Sequence, residues 1–199
     1  SGDDTRNTTQ LRLLNNFAVE VEILDNLIAK SGISIDVYQI DESSYENRRY
    51  GNGRNIGGQA LEATNLTKNW QATQTINYLP NIGADHNLGF LVGYEAQKSD
   101  TKRTRGYGNQ FPNDKVETLN SASDAFSVEG NRTEYSFTGL FGRANYSYQG
   151  KYNIDATFRR DGSSRFGSEV RFGNFYSVGL SWNLAEEDFM ANANWLDFM

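Results

Sequence analysis

The 199-residue chain contains no cysteine, one histidine, two prolines and no long apolar run. Without cysteine there is no disulfide framework and no thiolate metal site, and a single His86 cannot assemble a metal cluster by itself. His86 therefore reads as a turn residue, and neither a metal nor a cofactor is expected. No segment approaches the roughly 18 apolar residues of a transmembrane helix, and no secretory leader opens the chain. A membrane β-strand escapes that test, because about 9–11 residues with one apolar face suffice. Positive charge is also scarce. The 19 Lys and Arg against 25 Asp and Glu leave a net charge of -6. No basic stripe interleaves with aromatic residues, so nucleic acid is discounted as a partner.

What is present points to strands. Hydrophobic residues make up 37% of the chain, but aromatics reach 13%, which excludes a disordered chain. The 19 glycines beside two prolines fit a protein of many strands and turns better than a helical bundle.

Hydropathy alternates with period two over long stretches. Leu11, Leu13, Phe17, Val19, Val21 and Ile23 share one face, and Arg12, Asn16, Glu20 and Glu22 the other. After a tight turn at Asp25 and Asn26, Ile33, Ile35 and Val37 continue the apolar face opposite Lys30, Ser34 and Asp36. Leu66, Trp70, Ala72, Ile76 and Tyr78 begin a second hairpin, answered past Pro80 by Leu88, Phe90, Val92, Tyr94 and Ala96. A third pairs Leu140–Tyr148 with Tyr152–Phe158 across a turn at Gln149–Lys151, and Tyr176, Val178, Leu180 and Trp182 mark a further strand. The fold class is all-β: an antiparallel up-and-down meander of about seven long strands.

Between the hairpins lie polar segments read as long loops at about 41–65 and 98–132, with a medium loop at 161–173. Connections thus alternate short and long, as in transmembrane barrels with short turns on one side and long loops on the other. Tyr78, Tyr146, Tyr148, Tyr152 and Trp182 fall near the short-turn end, where amphipathic rings suit a membrane interface. A soluble antiparallel sandwich alternates in the same way, but its strands average about 5–6 residues against the roughly 12 read here.

The stretch from Tyr146 to Met190 carries a Tyr-x-Tyr hairpin, the run Arg160-Asp-Gly-Ser-Ser-Arg-Phe-Gly167, the Gly179-Leu-Ser-Trp182 strand and Glu186-Glu187-x-Phe189. It resembles the SusC/RagA family of TonB-dependent outer-membrane transporters, and residues 1–145 match that family in layout. The resemblance implies a barrel of roughly 22 strands closed around a plug. It also implies an outer-membrane location in a Bacteroidetes-like Gram-negative bacterium and import of oligosaccharides, peptides or similar nutrients. The implied partners are a SusD-like lipoprotein, the rest of the barrel and its plug, membrane lipid, and TonB acting through a missing N-terminal part. Against a complete member the chain lacks plug, TonB box and leader, and its end, WLDFM, lacks a terminal strand. It is expected to be an internal barrel segment and not an enzyme.

Candidate contact residues follow. Asp161 and Gly162 supply turn chemistry for the outer rim. Arg159, Arg160 and Arg165 have two readings: pairing with carboxylates such as Asp36 or Asp155 inside the lumen, or gripping a ligand or plug. In the long loops Tyr45, Tyr50, Tyr107 and Phe111 offer flat faces for sugars, with packing of the loops on themselves as the bland reading. Adjacent Glu186 and Glu187 point apart and imply no glycosidase pair. The rival function is a soluble or surface β-sandwich that binds glycans as an adhesin module, which would bury Tyr176, Val178, Leu180 and Trp182. A passive porin is a weaker rival.

Overall fold

The computed structural model describes residues 4–167 and 171–190, with residues 125 and 126 placed by their backbone alone. The WLDFM end lies outside the described residues, as do Ser168, Glu169 and Val170 of the arginine-rich stretch. Seven strands form one sheet in chain order. They are β1 (Thr5–Leu24), β2 (Leu27–Glu46), β3 (Gln59–Tyr78), β4 (His86–Asn109), β5 (Asp124–Tyr148), β6 (Tyr152–Ser163) and β7 (Phe172–Trp182). His86 opens β4 rather than sitting in the turn before it.

The short turns form where the sequence permits positive φ. Gln149 at φ 49° and Gly150 at φ 70° occupy the two central positions of the turn Tyr148–Lys151, closed by the Lys151 N–H on the Tyr148 carbonyl at 2.9 Å, in the three-residue connection between β5 and β6. From that turn the register runs Tyr148↔Tyr152, Tyr146↔Ile154, Ala144↔Ala156, then Tyr152↔Trp182, Ile154↔Leu180 and Ala156↔Val178. Directly paired residues share a face, so the apolar side expected from alternation is continuous across β5, β6 and β7. The opposite face carries Arg143↔Thr157↔Ser177 and Ser147↔Asn153↔Ser181.

Strands β1 to β5 are 20 to 25 residues long, about twice the periodic runs seen in the sequence. The connections shrink accordingly. The loop expected at 41–65 is only 47–58, that expected at 98–132 is 110–123, and the medium loop expected at 161–173 is 164–171. Alternation requires one face to be apolar. Toward these connections both faces turn polar, so periodicity vanishes while the backbone ladder continues. Asp161 and Gly162 are corrected in the same way. They are strand residues of β6, paired with Gly139 and Thr138 of β5 and with Gly173 and Phe172 of β7. Ladder bonds on both sides override the turn preference of Asp-Gly, and the turn falls at Ser164–Phe166.

The chain divides into two compact units. Unit 1 comprises 1–15, 35–70 and 99–134, the strand portions beside the two long connections. It contains a small core of Tyr45, Ala60 and Phe111, with Leu119 and Ala122 packed against it. Unit 2 comprises 16–34, 71–98 and 135–199. Its apolar face is open: Tyr176 is 84% exposed, Val178 70%, Leu180 76% and Trp182 54%. The sandwich expectation that these four residues are buried against a second sheet is therefore overturned. A contiguous apolar face this open on a folded sheet is the mark of a membrane or partner surface.

Candidate functional site

In unit 1 the connections after β2 and β4 are tied together by backbone and side-chain bonds. The Gln110 N–H donates to the carbonyls of Ile56 and Gly58, and the Phe111 N–H to that of Gly57 at 2.9 Å. The Tyr45 ring, 1% exposed, meets Phe111, 3% exposed, edge to face with centroids 5.1 Å apart. Gly58, at φ 88°, lets the backbone pass close to the Tyr45 hydroxyl, where an added Cβ would lie 3.0 Å from the oxygen.

Asp114 organises this region. Its Oδ1 accepts from the Tyr45 hydroxyl at 3.0 Å and from the Arg48 N–H at 3.2 Å. Its Oδ2 lies 3.1 Å from Arg49 Nε and 3.7 Å from Arg48 Nε. Burial works to raise the carboxyl's pKa, but the Arg48 N–H, the Tyr45 hydroxyl and the two guanidiniums outweigh it and hold Asp114 below the usual carboxylate range. Burial, and then the bond to Asp114, push the Tyr45 hydroxyl up to about 12. The Arg48 guanidinium also donates to the carbonyls of Phe111, at 3.2 Å, and Pro112, at 2.6 Å. Of the four aromatic residues expected to present flat faces, Tyr45 and Phe111 are thus packed on each other. Tyr107 is half-buried with Arg105 stacked 4.9 Å from its centroid, and Tyr50 is exposed.

In unit 2 the arginines of the RRDGSSRFG stretch do not reach Asp36 or Asp155. Asp36 is taken by Arg12 in unit 1 through a two-pronged contact at 2.9 and 3.1 Å, and Asp155 by its cross-strand neighbour Arg143. Arg159 instead binds Asp161, two residues along the same face at 2.6 Å, and Glu95 of β4 at 3.5 Å. Phe137 and Phe141 flank its guanidinium at 5.7 and 5.4 Å. Glu95 also accepts from Gln71, extending the network onto β3. Arg165 stacks 4.1 Å above Tyr135, and Arg160, on the apolar-parity side, stacks on Phe172 at 5.1 Å.

The aromatic residues near the short turns form a row. His86 hydrogen-bonds the Tyr146 hydroxyl at 2.7 Å and lies beside Tyr148, which stacks on Tyr152, which stacks on Trp182. Glu187, just past β7, accepts from the Tyr152 hydroxyl and from the Trp182 indole N–H at 3.0 Å, with Lys151 at 3.5 Å. Those two hydrogen bonds hold its carboxyl below the ordinary range. Glu187 is therefore a cap on the aromatic row. His86 and Glu187 had no sequence signal for this role, because both act through partners in other strands.

Long antiparallel strands with one open apolar face, a hydrogen-bonded polar face and an aromatic row near the short turns define a wall segment of a transmembrane β-barrel. No protein-family profile matches the chain. It is 29% identical over 90% of its length to TonB-dependent receptor P3 of Formosa agariphila, and 28% identical over 73% to TonB-dependent receptor SusC of Bacteroides thetaiotaomicron. It spans 18% and 14% of those two proteins. The fold superposes on that in the structure of the RagAB peptide transporter with a TM-score of 0.85 at 24% identity, covering 94% of this chain and 21% of that one. The chain is similar to a barrel segment of the TonB-dependent receptors, SusC among them.

Proposed function

We propose that the protein carrying this chain is an outer-membrane active transporter that imports nutrient oligomers, saccharides or peptides, together with a SusD-like lipoprotein and with energy relayed by TonB. The segment acts as barrel wall and outer rim and performs no bond-breaking chemistry. The observation that carries this reading is the sidedness of β5 to β7. Tyr176, Val178 and Leu180 stand open on one face, while Thr157 and Ser177 hydrogen-bond at 2.6 Å on the other. Such a sheet is satisfied by lipid outside and a wet or plugged interior. Similarity to TonB-dependent receptors, SusC among them, and superposition on the RagAB fold support this reading. In this setting Arg159, Arg160, Asp161, Arg165, Tyr50 and Tyr107 are the rim or ligand contacts, and Tyr78, Tyr146, Tyr148, Tyr152 and Trp182 are the interface aromatics. The source organism is a Gram-negative bacterium of the Bacteroidetes type.

The test is to raise an antibody against this chain and probe fractionated source cells with boiled and unboiled samples. The expected result is a band in the outer-membrane fraction that changes mobility on boiling and co-purifies with a lipoprotein. A band confined to the soluble fraction would refute the proposal.

A further inference from the structure

The connections after β2 and β4 leave a shallow, open basin of about 600 Å³ on unit 1. Arg48, Arg49, Asn55, Gln110 and Ser123 line it together with Ile56, and no carboxylate does. The two arginines are used differently. Arg48 donates from Nη1 to the Phe111 and Pro112 carbonyls. Arg49 Nε lies 3.1 Å from Asp114 Oδ2, an ion-pair contact without a hydrogen bond, and its side chain is 73% exposed against 6% for Asp114. Among the described residues Asp114 is the only carboxylate within ion-pair reach of Arg49, and the exposed guanidinium makes no side-chain hydrogen bond.

Arg48 and Arg49 both face Asp114, which remains ionised, while Glu117 acts on the neighbouring Tyr45 hydroxyl and Asp124 accepts from Gln110 Nε2 at 3.0 Å. Gln110, on the basin wall, adopts φ 59°, a conformation unfavourable for any residue with a side chain. Its N–H, shared between the Ile56 and Gly58 carbonyls at 3.2 Å each, keeps it there. Strain retained in this way at the wall of a basin is a sign of geometry held for recognition.

Resting on the reading that this rim faces the cell exterior, we infer that the basin is a binding subsite for a carboxylate-bearing oligomer, with Arg49 gripping the carboxylate. A planar guanidinium with two free, adjacent donors matches a carboxylate in a two-pronged contact. Asn55 and Ser123 offer neutral donors and acceptors to the next sugar or peptide unit, Gln110 offers its side-chain oxygen, its Nε2 being bonded to Asp124 at 3.0 Å, and Ile56 offers apolar contact. The carboxylate can come from a uronic acid or from a peptide C-terminus, and the probes separate the two.

The experiment uses the full-length receptor in nanodiscs. Calorimetry compares trigalacturonate with its methyl ester, and a tripeptide with its C-terminal amide. The expected result is that one free acid binds at least tenfold more tightly than its neutral counterpart, and that Arg49→Gln removes this preference. Equal binding of acid and neutral forms, a preference that survives Arg49→Gln, or no binding of any probe would overturn the inference. Asn52→Cys at the exposed start of the turn Asn52–Ile56 reports sidedness, read against the unsubstituted receptor labelled in parallel. Labelling by a membrane-impermeant maleimide on intact cells is the expected result. Failure to label would sink the exterior-rim reading itself, whereas labelling without acid preference would sink only the subsite.

Discussion

Phe111→Ala removes a ring that is 3% exposed and touches Tyr45 edge to face at 5.1 Å, while leaving intact the backbone bond from the Phe111 N–H to Gly57. Truncating a buried phenylalanine costs about 3–5 kcal/mol, the lower figure where the surroundings can collapse into the space. The aromatic pair accounts for roughly 0.5–1.5 kcal/mol beyond area. Phe111 sits at the wall of an open basin, so partial collapse is available and about 3 kcal/mol is the working value. Each 1.4 kcal/mol or so is a factor of ten. Opening of the paired connections should therefore become roughly a hundredfold more frequent. Hydrogen exchange of the full-length receptor reads this at the amides of Arg48, Gln110 and Phe111, each of which is hydrogen-bonded in the folded segment. Phe111→Leu keeps most of the volume and should lose less than about 1.5 kcal/mol, giving an intermediate rate. Unchanged exchange in Phe111→Ala, or an equal rise throughout the amides of 71–98 and 135–163, would refute the reasoning. It would mean either that the ring holds nothing or that it acts on the whole barrel.

Val178→Arg, on the open face of β7, should destabilise bilayer-refolded receptor by about 2–4 kcal/mol in denaturant titrations, whereas Ser177→Arg on the polar face should shift the midpoint little. Equal effects would show that the two faces meet the same medium. Gly93→Ala places a methyl group where the Phe141 ring now lies. Displacing the ring should cost about 1–3 kcal/mol and free Arg159, read as a lower dissociation temperature of the unboiled folded band; an unchanged temperature would argue against the contact. The pH responses have opposite signs at the two ends of one hydrogen bond. The Asp114 carboxyl is depressed, so its stabilisation is present above the ordinary value of about 3.9 and is lost only as pH falls through the folded value. The Tyr45 hydroxyl is raised to about 12, so its contribution is full below the ordinary value of about 10 and is lost as pH rises toward about 12. Protease nicking of 47–58 and 110–123 should be flat from pH 5 to pH 9, rising only at the extremes, with the alkaline rise changed in Tyr45→Phe. Nicking that climbs between pH 5 and pH 9 would contradict both assignments.

Strand number, order and facing were legible because they are written in local periodicity. Tyr176, Val178, Leu180 and Trp182 alternate with Ser177, Gly179 and Ser181, and their open face follows from that pattern alone. Strand ends were not legible, because Glu42–Glu46 and Lys102–Asn109 carry polar residues on both faces and keep their ladders without showing a period. Asp161-Gly162 misled because a strong local turn signal was outvoted by partners on two neighbouring strands. Arg159 lay two residues from its true partner Asp161, on the same side of a period-two strand, and that pairing was within reach of the sequence.

The sequence by itself determined an all-β meander with one apolar and one polar face, short turns alternating with longer connections, and no thiol chemistry. Each of these depends on neighbours a few residues apart or on composition. Only the tertiary structure decided that Tyr45, Phe111 and Asp114 close the two connections into one small core, that Arg49 is left exposed beside it, and that Glu187 caps the aromatic row. Tyr45 and Asp114 are 69 residues apart in the chain. Contacts at that separation are set by strand register summed over several hairpins, and no local pattern encodes the sum.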